Sequence, residues 1–230
     1  MCEITDSDVK QWLNAFDEIL KPDNERSKRL KEFYDNLNNS KDFPQTYDEN
    51  KYPKFDFKIN YDEIVNYVKE DGNFADGIQD EIEKSSLAKL LYAIVWKNGD
   101  LQKLGGIVHG IRDAHESTLA KKNRYVFYQF GKYLANRKEP IIDQHTIRAQ
   151  ILFENWTNND NTTCSEPEIV KIRKKSNYGA KKIELEGYIT WLKKYNFTEE
   201  ELFYVDKIMF MFGKYAKINK RTPANAIRDD

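Results

Sequence analysis

Residues 123–149 read NRYVFYQFGKYLANRKEPIIDQHTIRA, and the punctuation of this stretch decides the architecture. Val126, Phe127, Phe130, Tyr133 and Leu134 recur at helical spacing, so a helix is expected over Asn123 to Leu134. Pro140 disfavours helix at the residue before it, which makes Glu139-Pro140-Ile141-Ile142 extended. Asp143 then stands where a helix cap belongs, ahead of Ile147, Ile151 and Leu152.

The same pattern extends in both directions. Toward the N-terminus, Ile82, Leu87, Leu90, Leu91, Ile94 and Val95 predict one strongly apolar, buried helix from Ile78 to Trp96, stopped by Asn98-Gly99. Leu101 to Ile111 contains three glycines. Asn60 can cap a helix presenting Ile64, Tyr67 and Val68. Phe55, Phe57 and Ile59 alternate, which leaves room for a short strand or an extended segment on the core. Ser7 can cap a first helix bearing Val9, Leu13, Phe16, Ile19 and Leu20, ended by Pro22. A second helix carries Leu30, Phe33, Tyr34 and Leu37. Toward the C-terminus, Lys171, Arg173, Lys174, Lys175, Lys181 and Lys182 form a basic run. A last helix opens at Thr198, with Glu201 completing a capping box ahead of Leu202, Val205, Ile208, Met209, Phe212 and Tyr215. The expectation is an all-α, compact multi-helix protein: a single helical unit over 1–230, with two lobes as the variant. Polar loops fall near 38–58 and 157–168, and a loose tail at 218–230.

Composition narrows the function classes. The 230 residues include 37 Lys plus Arg against 38 Asp plus Glu, a net charge of -1. That balance excludes a uniformly basic nucleic-acid binder but leaves open a protein with one basic face. Aromatic residues at 13% argue against global disorder. No apolar run reaches the ~18 residues of a membrane span, and Met1-Cys2-Glu3-Ile4 does not begin a secretory signal. Cys2 and Cys164 are too few for a disulfide framework, a four-cysteine zinc site or a four-thiolate iron–sulfur cluster. The expected setting is cytoplasmic. His109, His115 and His145 lack partners at metal-ligand spacing, so neither a metal nor a cofactor is expected.

Three stretches could carry chemistry: Trp96-Lys97-Asn98-Gly99 with the glycines after it, Lys121 to His145, and Val205-Asp206-Lys207 through Phe212-Gly213-Lys214. The glycines of Leu104-Gly105-Gly106-Ile107-Val108-His109-Gly110 suit either a close phosphate approach or tight helix packing. Lys121, Lys122, Asn123 and Arg124 precede a helix, where free N–H groups and adjacent cations can hold a phosphate; an exposed basic turn is the plainer reading. A carboxylate at a helix N-cap, as at Asp143, accepts backbone N–H bonds and lies at the positive end of the helix dipole. It can serve simply as a cap. It can also stabilise the positive charge that builds on a sugar as a glycosidic bond breaks, or orient a water.

The segment Pro140 to Ala149 resembles the helix-hairpin-helix DNA glycosylase superfamily, the endonuclease III and 8-oxoguanine glycosylase relatives. In that family a helix leads through a short Pro-containing segment to a catalytic aspartate, followed by a His and, a few positions on, an Arg. Asp143 matches the aspartate, and His145 and Arg148 match its surroundings. The resemblance implies binding of duplex DNA, extrusion of a damaged or modified base, and hydrolysis of its N-glycosidic bond. Lys121, Asn123, Arg124, His145 and Arg148 would contact the DNA. The family's glycine hairpin has no counterpart in Ala120-Lys121-Lys122-Asn123-Arg124-Tyr125. Lys122, in a run loosely similar to the start of the corresponding helix in archaeal 8-oxoguanine glycosylases, is the candidate nucleophile for a lyase step; otherwise it is a phosphate contact or a solvated charge. A DNA-binding or protein-interaction helical domain without catalysis is the alternative.

Overall fold

The computed structural model describes residues 6–39, 58–69, 71, 73–115, 125–157, 166–175, 177–179 and 181–217. Among them the chain forms eleven α-helices: α1 (Asp6–Ile19), α2 (Arg26–Asn39), α3 (Tyr61–Ile64), α4 (Ile78–Glu83), α5 (Ser86–Lys97), α6 (Leu104–Arg112), α7 (Tyr125–Ala135), α8 (Gln144–Thr157), α9 (Glu166–Lys174), α10 (Lys182–Tyr195) and α11 (Glu199–Tyr215). The described residues contain no extended sheet, only an isolated antiparallel bridge between Val68 and Phe74. The protein is all-α. None of its described helices is long and apolar enough to cross a membrane. The Phe55 and Phe57 positions, the tail after Lys217 and most of the two polar loops lie outside the described residues.

The chain divides into two compact units, one comprising Met1–Tyr52, Asp143–Tyr178 and Thr190–Asp230, the other Pro53–Ile142 and Gly179–Ile189. In the first, α11 packs on α8 and α2, and α1 packs on α8, α2 and α9. The core is aromatic. Trp12 stacks on Phe212 with ring centroids 3.5 Å apart, and Phe16 meets Phe153 edge-on. Phe153 in turn meets Trp191 edge-on. Such pairs add about 0.5–1.5 kcal/mol each beyond their burial. Val9, Leu13, Phe16, Leu20, Leu30, Tyr34 and Leu37 are buried at the predicted spacing. Ser7 lies inside α1 instead of capping it.

A buried ion pair ties α2 to α11. Arg26 donates from Nε to Glu201 Oε1 at 2.8 Å and from Nη2 to Oε2 at 2.7 Å. The same glutamate completes the expected capping box. Its Oε2 accepts from the Thr198 N–H, and Thr198 Oγ1 accepts from the Glu201 N–H. One side chain therefore starts α11 and anchors it.

In the second unit α6 packs on α7 and α3 on α6, while α4 lies along α5. The α6–α7 crossing explains two glycines. A Cβ on Gly110 would collide with the Tyr128 carbonyl oxygen, and one on Gly131 with that of Ile107. The glycines of Leu104 to Gly110 thus sit within a helix, and Gly110 permits close packing there. The predicted Asn60 helix is only one turn, α3, with Tyr67 and Val68 beyond its end.

The expected buried helix from Ile78 to Trp96 is different in two ways. It breaks at Lys84-Ser85, where Ser85 caps a new helix by accepting from the Ala88 N–H. Neither α4 nor α5 has a buried residue. Apolar content predicted a buried element, but nothing in the described chain covers this one.

Candidate functional site

The segment that precedes Asp143 in sequence is held by α7. Gln129, buried there, donates from Nε2 to Glu139 Oε2 at 2.9 Å and to the Pro140 carbonyl at 3.3 Å. Lys132, also buried, lies 3.8 Å from Glu139. These contacts hold the extended Glu139–Ile142 segment against its own unit. Pro140 has no N–H to donate and disfavours helix at Glu139.

Asp143 caps α8. Its Oδ1 accepts from the His145 N–H at 2.7 Å and the Thr146 N–H at 2.8 Å. Thr146 Oγ1 accepts from the Asp143 N–H at 2.9 Å, so the two residues cap each other reciprocally. This satisfies three N–H groups at the start of α8, where the helix dipole is positive. Asp143 is half-buried, and among the described residues its Oδ2 takes no hydrogen bond. One carboxylate oxygen is thus fixed by the backbone.

His145 and Arg148 follow on the same turns. Arg148 Nη1 lies 2.8 Å from His145 Nδ1. A guanidinium only donates, so Nδ1 accepts and the imidazole proton sits on Nε2. Burial pushes the His145 pKa below its ordinary value; the Asp143 charge opposes this and the Arg148 charge adds to it. Burial therefore disfavours the protonated ring. Its ring also meets Phe210 edge-on at 5.4 Å.

Arg148 is 0% exposed. Nη1 donates to the Gly213 carbonyl at 3.0 Å and Nη2 to the Lys175 carbonyl at 2.7 Å. Tyr178 lies 5.5 Å from the guanidinium. The side chain clasps α8 to α11 and to the segment after α9. In this geometry it organises the site and presents no surface to a phosphate. Gly213 completes the clasp, because a Cβ there would collide with the His145 carbonyl oxygen.

Asp143, His145 and Arg148 are thus brought together at one helix start. Lys121, Lys122, Asn123 and Arg124 lie outside the described residues, immediately before the first residue of α7. The basic run after them is split between elements. Lys171, Arg173 and Lys174 belong to α9 and Lys182 to α10, and Arg173 is buried, donating from Nε to the Ala216 carbonyl at 2.9 Å. Among the described residues no three potential metal ligands cluster.

Sequence reasoning missed Thr146 and the structural duty of Gly213. The first was signalled by the Asp-x-x-Thr spacing, the hydroxyl falling at the third helical position. The second was visible only as a glycine interrupting an apolar stripe. No protein-family model matches the chain, and neither curated proteins nor solved structures gave a match.

Proposed function

We propose that this protein binds duplex DNA and hydrolyses the N-glycosidic bond of an extruded base. The observation that carries the reading is the state of Asp143: one oxygen pinned by two backbone N–H groups, the other without a hydrogen bond among the described residues, on a half-buried residue at a helix start. A carboxylate so placed can face the cationic sugar and orient the attacking water. His145 follows it on the same turn as a hydrogen-bonding partner for the extruded nucleotide. Lys121, Asn123 and Arg124 would contact phosphates ahead of α7, and Lys122 would act as a nucleophile only if a lyase step accompanies hydrolysis. Arg148 serves this reading as a positioning residue.

The test is a panel of lesion-bearing duplex oligonucleotides, scored for abasic-site formation, with borohydride trapping for a Schiff base at Lys122. Asp143→Asn keeps an oxygen for the two N–H groups and so preserves the cap. Its product yield should fall by at least ~100-fold, the range for losing a positioned acid–base group. Equal activity in the variant removes the carboxylate from the mechanism. A second reading, a helical interaction domain without catalysis, is favoured by the uncovered apolar face of α5. It predicts no base release by the unmodified protein.

A further inference from the structure

We propose that the protein pairs with a second copy of itself through α5. The inference stands apart from the glycosylase reading and would survive its failure.

The α5 helix is apolar without being buried. Leu87, Leu90, Leu91 and Ile94 are 62%, 57%, 53% and 48% exposed. Their spacing puts them on one face, with Val95 at its edge. A globular protein normally turns such a stripe inward, and an apolar helix of this length is marginal in water on its own. Something must cover it.

Three observations favour a second copy. The first is area. The five side chains expose on the order of 450 Å², or about 900 Å² for two copies; since apolar surface makes up about 60% of an interface, a polar rim brings the total near ~1,500 Å². That is the size of a stable dimer contact. The second is register. A leucine stripe at positions i, i+3, i+4 and i+7 is its own complement when two copies cross about a two-fold axis. The third is charge. The stripe carries none. On α5 only Lys97 flanks the stripe, Lys89 lying on the opposite face, and on α4, packed along it, Glu81 is already paired with Lys84. Pairing two such stripes therefore buries no charge in the seam. A membrane surface fits less well, because a helix that lies on lipid has a strongly basic polar face and α5 has only the two lysines.

The experiment is sedimentation velocity on the full chain from about 1 to 200 µM, with circular dichroism of every sample. The expected result is a monomer–dimer equilibrium with a dissociation constant of ~10 µM or tighter. Leu90→Glu with Ile94→Glu should raise that constant at least ~100-fold while leaving the helical signal of the remaining chain. If that double variant aggregates, Leu91→Ser supplies a milder version expected to weaken pairing by about tenfold. An unmodified chain that is monomeric at 200 µM overturns the proposal. So does a dimer that both variants leave intact. Flotation with neutral phosphatidylcholine vesicles forms the second arm: retention of the unmodified protein that the double variant loses, with no dimer in solution, assigns the face to lipid and overturns the proposal as well.

Discussion

Replacing Arg148 by methionine keeps most of the aliphatic volume and removes the guanidinium. The consequences can be worked from the partners. The Gly213 and Lys175 carbonyls and His145 Nδ1 lose their donor at once, in a place where the arginine itself is 0% exposed. Each buried acceptor left unmade costs about 1–3 kcal/mol. Against this, the fold no longer has to desolvate a cation, and burial is the leading influence on that group. The two effects leave a net destabilisation of roughly 2–4 kcal/mol. The assay can be confined to the unit concerned. Trp12, Trp156 and Trp191 all belong to the first unit and are buried, whereas Trp96 belongs to the second and is 64% exposed. In a Trp96→Phe background, tryptophan emission during urea unfolding reports the first unit alone. The transition midpoint should fall by about 1–2 M, taking a slope of ~2 kcal/mol per M. A shift under ~0.3 M would refute the clasp and return Arg148 to a role outside the core.

Gly131→Ala forces α6 and α7 apart, because the new Cβ meets the backbone oxygen of Ile107 and not a flexible side chain; thermal unfolding should reveal a loss of about 1–3 kcal/mol, and an unchanged midpoint would mean the crossing is looser than described. Glu201→Ala leaves the buried Arg26 without its counter-ion, though still donating to the Tyr195 carbonyl, and removes half a capping box, so unfolding free energy should drop by about 3–5 kcal/mol. The Arg26 hydrogen bonds hold the Glu201 carboxyl below its ordinary value of 4.5. Its contribution is therefore complete above that value and declines as pH falls through the lower folded value, a decline the Glu201→Ala chain should lack. His145 is likewise depressed, by burial, from 6.5, so the folded form binds its proton later than the unfolded chain does. Stability should fall as pH is lowered from about 6.5 toward the folded value, and His145→Gln should flatten that segment of the profile measured by urea titration.

The helices of the first unit were legible because their apolar residues repeat at helical spacing and are in fact inside, as with Val9 to Phe16 in α1 and Leu202 to Phe212 in α11. Capping chemistry was equally legible: Thr198 with Glu201, and Asp143 ahead of α8, stand where short-range rules put them. Spacing cannot say what an apolar stripe meets, which is why α5 reads as core and lies exposed. The break before it was signalled by Ser85, a good N-cap, but the apolar residues on either side masked it. The α10 helix escaped notice for the opposite reason. Its buried Leu185, Tyr188, Trp191 and Leu192 are interleaved with lysines and glutamates that draw the eye to charge. At the site, sequence located Asp143, His145 and Arg148 on one helix start. It could not foresee that Arg148 would turn inward, since the carbonyls that draw it there come from Gly213 and Lys175, distant in sequence.

These placements separate two duties at the head of α8. Arg148, Gly213 and Thr146 fix the helix start, and Asp143 shares that duty through one oxygen only. The remaining oxygen is what the enzymatic reading depends on. The most direct measurement is single-turnover base release from lesion-bearing duplexes by the unmodified chain and by Asp143→Asn, each shown by urea unfolding to be equally stable. The account predicts release by the first and at least a ~100-fold slower reaction by the second. Release at the same rate by both, or by neither across the full lesion panel, would contradict it.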